Sequence, residues 1–165
     1  MLTIAKCFED LDFPALMRLY REGNKENGAV FYPQEAPETR LALAERDFRA
    51  YLLEDFFSKS GVRYCIWEEH TVYLSALRLE PFDNGLLLEA LETHPDHRLR
   101  GHAKALILAV LAKLPQGTRI YSHVDKENTP SLATHLRCGF SILHDYTVQS
   151  GGERCDYEYT LFITV

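Results

Sequence analysis

A strand-like run, a basic turn and an apolar helix follow one another between residues 86 and 114. The run "LLLEALETH" favours a strand, and the turn "PDHRLRG" after it ends on Gly101. Beyond this glycine, apolar residues recur at the spacing of a helix with one buried face. They are Ala103, Leu106, Ile107, Val110, Leu111 and Leu114. A strand that leads directly into such a helix predicts helices packed on a sheet, which is an α/β or α+β fold.

The segments on either side extend this pattern. Before residue 86 we predict a strand at "LTIAKCF", a helix at "PALMRLYREG", a loop at "NKENGAVFYPQEAP", a long helix over Pro37–Ser58, and a hairpin of "VRYCIWEE" with "TVYLSALRLE". After residue 114 we predict a strand at "TRIYSHV", a short helix in "NTPSLATHLRCGF" with Gly139 as its left-handed cap, and a hairpin in which "FSILHDYTVQ" and "RCDYEYTLFITV" flank "SGG". The predicted order is β-α-α-β-β-β-α-β-α-β-β, with about seven strands in a mixed sheet and four helices.

Length and composition set the domain count and disfavour several classes of protein. The 165 residues contain no repeat and no low-complexity linker, so residues 1–165 are predicted to form a single domain. The formal net charge of -6 disfavours a general nucleic-acid-binding protein. No apolar run approaches the roughly 20 residues that cross a bilayer, and the N-terminus lacks the pattern of a secretory signal. The four cysteines are scattered without a CxxC pair, which is typical of reduced thiols in the cytoplasm.

The residues around Gly101 favour an anion at the start of the helix. The first N–H groups of a helix have no internal partner, and the helix dipole attracts negative charge to that end. The glycine permits close approach to the backbone, and Arg98, Arg100 and Lys104 add positive charge, a combination suited to a pyrophosphate. A basic first turn on an ordinary surface helix is the alternative reading. Neither a Walker loop nor a dinucleotide-binding GxGxxG motif is present in the sequence.

Two motifs resemble those of the GNAT family of N-acetyltransferases. Arg98, Gly101 and Ala103, with Pro95 before them, resemble the acetyl-CoA-binding pattern Arg/Gln-x-x-Gly-x-Gly/Ala. A second element, Asn128-Thr-Pro-Ser131 followed by His135 and Gly139-Phe140, resembles the family's Asn-x-x-Ala/Ser-x-x-x-Tyr…Gly-Phe. The predicted order of elements also fits the family over essentially the whole chain. The resemblance implies a mostly antiparallel sheet with helices on both faces, and an enzyme that uses acetyl-CoA as cosubstrate.

The resemblance also implies where acetyl-CoA binds. In this family the strand before the first motif splays from the next strand, and the pantetheine arm lies in the gap. The backbone groups of Leu91, Glu92 and Thr93 are expected to hold the pantetheine and the thioester carbonyl. Asn128 and Ser131 are expected to face the arm from the strand–helix junction. The residues expected at the pyrophosphate are Arg98, Leu99, Arg100, Gly101, His102, Ala103 and Lys104.

Direct transfer of an acetyl group to an amine needs two proton-handling groups. An alkylamine has a pKa of about 10, so a base must remove its proton before attack. We expect His123 and Glu92 as candidate bases, acting directly or through water, and also weigh His94. The family's tyrosine, which protonates the departing thiolate, is replaced by His135. An imidazole can fill this role near neutral pH, but His135 as a packing residue, with the thiolate leaving unaided, remains an alternative.

Two function classes stay open at this point. The first is an N-acetyltransferase acting on a primary amine of a small molecule or protein in a ternary complex. The second is a catalytically degenerate member that binds acyl-CoA as a sensor or partner module. The acceptor is expected to contact Asn24–Arg40 and the C-terminal hairpin, and the acidic chain mildly favours a cationic acceptor.

Other binding partners are disfavoured by the sequence. A metal site at His94, His97 and His102 is not expected, since no Cys or Asp cluster accompanies these histidines. Neither nucleic acid nor a membrane is expected as a partner, and the protein is expected to be a monomer or homodimer.

Overall fold

A mixed seven-stranded sheet organises the chain in the computed structural model, which describes residues 1–148 and 151–165. The strands are β1 (Leu2–Ala5), β2 (Arg63–Glu69), β3 (Val72–Phe82), β4 (Gly85–Thr93), β5 (Arg119–Asp125), β6 (Ser141–His144), β7 (Thr147–Val148), β8 (Arg154–Cys155) and β9 (Glu158–Thr164). The main sheet has the order β1-β2-β3-β4-β5-β9-β6, and β7 pairs with β8 in a separate ribbon. Neighbouring strands are antiparallel except β4 and β5, which are parallel. The predicted mostly antiparallel α/β sheet is confirmed.

Helices cover the sheet on both faces. They are α1 (Phe13–Leu19), α2 (Arg21–Phe31), α3 (Pro37–Glu54), α4 (His102–Leu111) and α5 (Thr129–Arg137), with short 3-10 helices at Phe8–Asp10, Phe56–Ser58 and Pro95–His97. One apolar cluster joins α1 and α3 to one face of β2 and β3, with Leu16, Leu52 and Tyr64 buried at its centre. A second joins α4 to the opposite face, with Leu106 and Ile120 at its centre. The described residues thus hold five α-helices, one more than predicted.

The additional helix is α2, and the prediction of a loop over residues 24–37 is wrong for residues 24–31. Gly28 and two asparagines suggested a loop. A Cβ on Gly28 would lie 2.6 Å from the carbonyl oxygen of Arg40, so this glycine permits α2 and α3 to approach closely. Asn24 is buried, with its Nδ2 3.4 Å from the Sδ of Met17. Packing between helices therefore overrides the low helix propensity of these residues.

The C-terminal hairpin forms, but in two parts. β6 pairs with β9 in the main sheet, whereas β7 and β8 form the small ribbon. A shift of register between Ile142 and His144 interrupts the pairing with β9. Gln149, at the end of the predicted strand, and Ser150, in the predicted "SGG" turn, lie outside the described residues. No helix in the described ranges is long and apolar enough to cross a membrane.

Candidate active site

The two parallel strands at the centre of the sheet separate after a short stretch of pairing. β4 and β5 pair at Leu86↔Ile120, Leu87↔Tyr121 and Leu88↔Ser122. Among the described residues, the rest of β4 has no further partner on β5. A gap therefore opens between the strands on the carboxyl side of Leu88 and Ser122, as the resemblance implies.

A β-bulge lies where β4 begins to diverge. Ala76 pairs with Glu92 and Arg78 with Glu89, so the two residues Ala90 and Leu91 face the single residue between Ala76 and Arg78 on β3. Ala90 has φ of 50°, in the left-handed region that costs a non-glycine residue about 1 kcal/mol or more. The hydroxyl of Tyr20, at the C-cap of α1, donates to the Ala90 carbonyl oxygen at 2.6 Å. The bulge is therefore held from the helix side of the sheet.

The bulge sets the orientation of the backbone groups along the gap. The His94 amide donates to the Leu74 carbonyl, and Ala76 pairs with Glu92 two residues away. Hydrogen-bonded pairs alternate along an antiparallel ladder, so the N–H and C=O groups of Leu91 and Thr93 point away from β3, toward the gap. The Glu92 backbone instead faces β3, where its carbonyl also accepts from the Ser75 hydroxyl at 2.6 Å. The expected backbone site thus fits Leu91 and Thr93, whereas Glu92 directs only its side chain there.

The helix that begins beside this gap offers unpaired amides. Gly101 has φ of 82° and is the N-cap of α4, and within the described part of the chain no side chain caps this helix start. No heavy atom lies within 4 Å of a Cβ built on Gly101, so the glycine is needed for its backbone conformation rather than for space. The amides of His102, Ala103 and Lys104 occupy the first turn, where no internal acceptor exists. These donors fit the pyrophosphate of CoA.

Arg98 contacts carboxylates in this structure. Its guanidinium lies 2.6 Å from Glu22 of α2 and 3.2 Å from Glu92 of β4. Glu92 Oε1 also accepts from the Thr93 amide at 3.0 Å, so it covers one of the backbone donors at the gap. These contacts make Glu92 an ion-pair partner of Arg98, and Arg98 links the loop before α4 to α2.

His135 is buried, with 1% of its surface exposed, beneath the start of the gap. Its Nε2 lies 3.1 Å from the Ser122 hydroxyl, and its Nδ1 lies 2.9 Å from the Ser131 carbonyl oxygen. Burial lowers the pKa of this imidazole. The imidazolium that a general acid needs is therefore disfavoured, and the contacts fit a neutral ring that joins α5 to β5.

His123 has a different environment. It is half-buried on β5, one residue beyond the last pair with β4, and its ring meets Phe82 edge-on at 5.5 Å. Burial lowers its pKa, while the nearby Glu158 acts in the opposite direction. A neutral imidazole beside the point where β4 and β5 separate can accept a proton. His123 is therefore a better candidate for the base than Glu92, because Glu92 forms an ion pair with Arg98.

The remaining predicted residues have structural contacts. The Asn128 side chain caps α5 by accepting from the Ser131 amide at 3.2 Å. His94 accepts from the Asp96 amide through Nδ1, and burial lowers its pKa. The rings of His97 and His102 are 6.3 Å apart. Residues 1–148 and 151–165 contain no cluster of three or more His, Cys, Asp or Glu side chains that could hold a metal ion.

Sequence reasoning did not single out Tyr20 or Glu22. Both lie in the segment "PALMRLYREG", which is predicted as an ordinary helix, and no spacing or composition distinguishes them. Their importance depends on contacts with Ala90 and Arg98, which only the fold brings near.

The fold is shared with solved N-acetyltransferases. Its structural relatives include an N-acetyltransferase, PaiA from Thermoplasma acidophilum, in complex with coenzyme A, with a TM-score of 0.62 and 15% identity over 100% of this chain and 99% of that one. The ribosomal-protein-S18-alanine N-acetyltransferase of Escherichia coli gives 0.63 and 15% identity, over 100% of this chain and 94% of that one. Spermidine N-acetyltransferase from Vibrio cholerae, in complex with CoA and spermine, gives 0.59 and 18% identity, over 99% of this chain and 95% of that one. These likenesses show that the fold is that of N-acetyltransferases.

The family follows from the sequence match. The model of the acetyltransferase (GNAT) family matches residues 16–140, and the chain belongs to that family. Membership makes the protein an acetyltransferase with acetyl-CoA as its cosubstrate, and it confirms the family and enzyme class predicted from the two motifs. No curated protein sequence matches the chain.

Proposed function

We propose that residues 1–165 form a single N-acetyltransferase domain that transfers the acetyl group of acetyl-CoA to a primary amine by direct attack in a ternary complex. The observation that carries this proposal is the separation of β4 and β5 after Leu88↔Ser122, directly beside the uncapped start of α4. The gap gives the pantetheine arm a path to the sheet, and the helix start supplies donors for the pyrophosphate.

In this proposal the loop before α4 and its first turn hold the nucleotide end of the cosubstrate. The amides from Leu99 through Lys104 surround the pyrophosphate, and Arg100 and Lys104 add positive charge. Backbone groups of Leu91 and Thr93 bind the pantetheine and the thioester carbonyl, with Asn128 and Ser131 on the other side of the arm. Arg98 serves mainly to join this loop to α2, because two carboxylates already neutralise it.

His123 is the proposed base. The acceptor arrives as an ammonium ion, since alkylamines have a pKa of about 10. The neutral imidazole takes one proton from the nitrogen, directly or through water, and the freed lone pair attacks the thioester carbonyl. The carbon–sulfur bond then breaks, the electron pair leaves with the CoA sulfur, and the nitrogen gives up its second proton to solvent as the amide forms.

His135 is assigned a supporting role in this proposal, which departs from the expected general acid. A neutral ring whose two nitrogens contact Ser122 and Ser131 has no proton that it releases readily. The CoA thiolate can leave without a proton donor, since thiols have a pKa of about 8.5 and their anions are weaker bases than an alkylamine with a pKa of about 10. We therefore propose that the thiolate leaves unaided and takes its proton from solvent.

The acceptor is proposed to be a cationic primary amine of a small molecule or protein. The whole chain has a formal net charge of -6, which favours a cationic acceptor. Two of the solved relatives are named for a polyamine and for a protein alanine, and these are amines of different sizes. The four cysteines are free thiols, which supports a reducing cytoplasmic setting. The protein is proposed to act there as a monomer or homodimer.

The substitution of the family tyrosine by the buried His135 favours one other candidate, a degenerate acyl-CoA-binding sensor. Turnover separates the two. The experiment incubates the protein with acetyl-CoA and a panel of primary amines, and follows thiol release together with the mass of the acceptor. An enzyme gives equal amounts of CoA and acetylated amine, whereas a sensor binds CoA without either product.

A further inference from the structure

A cavity of about 280 Å³ opens at the end of α4 that lies away from Gly101. It lies between this end of the helix and strands β1, β2 and β3. Its apolar lining residues are Ile4, Cys65, Leu79, Val110 and Leu114, and its polar lining residues are Lys6, Arg63 and Lys113. With about 1.5 Å of rise per residue, α4 separates this cavity from the proposed pyrophosphate site by roughly 15 Å. The cavity is therefore a different site from the gap between β4 and β5.

The floor of the cavity is neutral and apolar. Cys65, Leu79 and Val110 have at most 2% of their surfaces exposed. Burial raises the pKa of the Cys65 thiol to about 12, so this thiol stays protonated. An apolar group that enters the cavity replaces contact with water by contact with these side chains, which is favourable in proportion to the area buried.

The polar part of the lining has a single sign of charge. Lys6, Arg63 and Lys113 are all basic, and none of the three forms a salt bridge with a described residue. This is unusual for a chain with 24 acidic and 18 basic residues. Three like charges around one opening repel each other, and an anion placed among them removes that repulsion.

Size then restricts the ligand. At about 30 Å³ for each water-sized group, the cavity holds roughly nine non-hydrogen atoms. We propose that this cavity binds a small monocarboxylate with an apolar tail of about five to eight carbon atoms. The tail lies on Cys65, Leu79 and Val110, and the carboxylate faces the three basic side chains, with Arg63 able to bind it through two parallel hydrogen bonds.

The test is a titration with hexanoate, followed by the amide chemical shifts of the protein saturated with CoA. Hexan-1-ol and hexylamine serve as ligands with the same tail and a different head. Hexanoate is expected to shift the amides around Ile4, Cys65 and Val110 and to bind at least about 10-fold more tightly than hexan-1-ol, because a charged hydrogen bond adds to burial of the tail. Hexylamine is expected not to bind.

Variants locate the site. Arg63→Gln is expected to weaken hexanoate binding about 10- to 150-fold, the range for a lost hydrogen bond to a charged group. Arg137→Gln, an equal change of charge at an exposed position on α5, is expected to leave it unchanged. Ile4→Trp, which fills the cavity from the edge strand β1, is expected to abolish binding while the protein still binds CoA.

Three results would overturn the inference. They are no shift at millimolar hexanoate, equal affinity for hexan-1-ol, or hexanoate binding to the CoA-free protein that is lost on saturation with CoA, which would place it in the gap instead. The proposed acetyltransferase activity is measured separately by turnover, so failure of this site leaves that proposal untouched.

Discussion

The Tyr20 hydroxyl donates a hydrogen bond to the carbonyl oxygen of Ala90, over 2.6 Å. Tyr20 ends α1, and Ala90 is the left-handed residue of the bulge in β4. This contact joins the helices on one face of the sheet to the backbone that turns Leu91 and Thr93 toward the gap. The shape of the proposed pantetheine site therefore depends on a residue that the ligand itself does not touch.

Removing the Tyr20 hydroxyl is expected to weaken binding of the pantetheine half of CoA only. Tyr20→Phe loses a hydrogen bond worth about 1 kcal/mol and leaves the Ala90 carbonyl without this donor. We expect the Kd for CoA to rise about 3- to 10-fold. The Kd for its nucleotide half, which carries the pyrophosphate but no pantetheine, is expected to stay the same in calorimetry. Tyr157→Phe, at an exposed tyrosine, is the matched control. Equal losses for both ligands would mean that Tyr20 supports the whole fold rather than the bulge.

Gly101 offers a test of the anion site with matched side chains. Its φ of 82° suits glycine and is tolerated by asparagine and aspartate. Gly101→Asn and Gly101→Asp thus strain the backbone to a similar degree, but only Asp brings a negative charge to the start of α4. We expect Gly101→Asp to bind CoA more weakly than Gly101→Asn, by up to about 30-fold, since a charge at a helix terminus is worth up to about 2 kcal/mol. Equal affinities of the two variants would place the pyrophosphate elsewhere.

Much of the fold follows from local pattern, because burial imposes the period of each element. The apolar stripe of α4 and the β-rich runs of β2 and β3 are examples, and the left-handed Gly139 ends α5 as predicted. α2 escaped prediction because Gly28 has its meaning only against Arg40 of another helix. The residues next to Gly28 in sequence do not indicate that contact.

Local sequence likewise predicts one part of the candidate site, while the other part depends on contacts that only the fold creates. The two motifs locate the helix start at Gly101 and the cap at Asn128, since both depend on neighbours in the chain. The bulge at Ala90 depends on the register between β3 and β4, and Arg98 depends on Glu22, far away in sequence. The role expected of His135 changed because its burial and partners are properties of the folded protein.

His135 is expected to make stability depend on pH. Burial places its pKa in the folded state below the usual value of about 6.5, so the unfolded chain takes up a proton first as the pH falls. The stability associated with the neutral ring is thus present above pH of about 6.5 and is lost as the pH falls below it. Urea unfolding is expected to show a smaller loss on acidification in His135→Gln than in the wild type. An identical pH dependence in the two proteins would show that the ring is not held neutral.

His123 is expected to control the pH dependence of catalysis. Its pKa is lowered by burial, so the basic form persists at pH values below its usual value of about 6.5. His123→Gln is expected to lower kcat/KM for the amine about 100- to 10,000-fold, the range for a lost general base. The ratio of wild-type to variant rates should shrink at the acidic end, where His123 becomes protonated. His144→Gln, on the exposed strand β6, is the control. A ratio near one at every pH would remove His123 from the mechanism.

Acetyl transfer itself is tested most directly with acetyl-CoA that carries an isotope-labelled acetyl group. The protein is mixed with this cosubstrate and primary amines, and mass spectrometry follows the label in the acceptor. The account predicts a labelled acetylated amine that forms in step with free CoA, faster with Gly101→Asn than with Gly101→Asp. Binding of CoA in the gap without label in any of a broad range of amines would contradict it, and would identify the protein as an acyl-CoA-binding module.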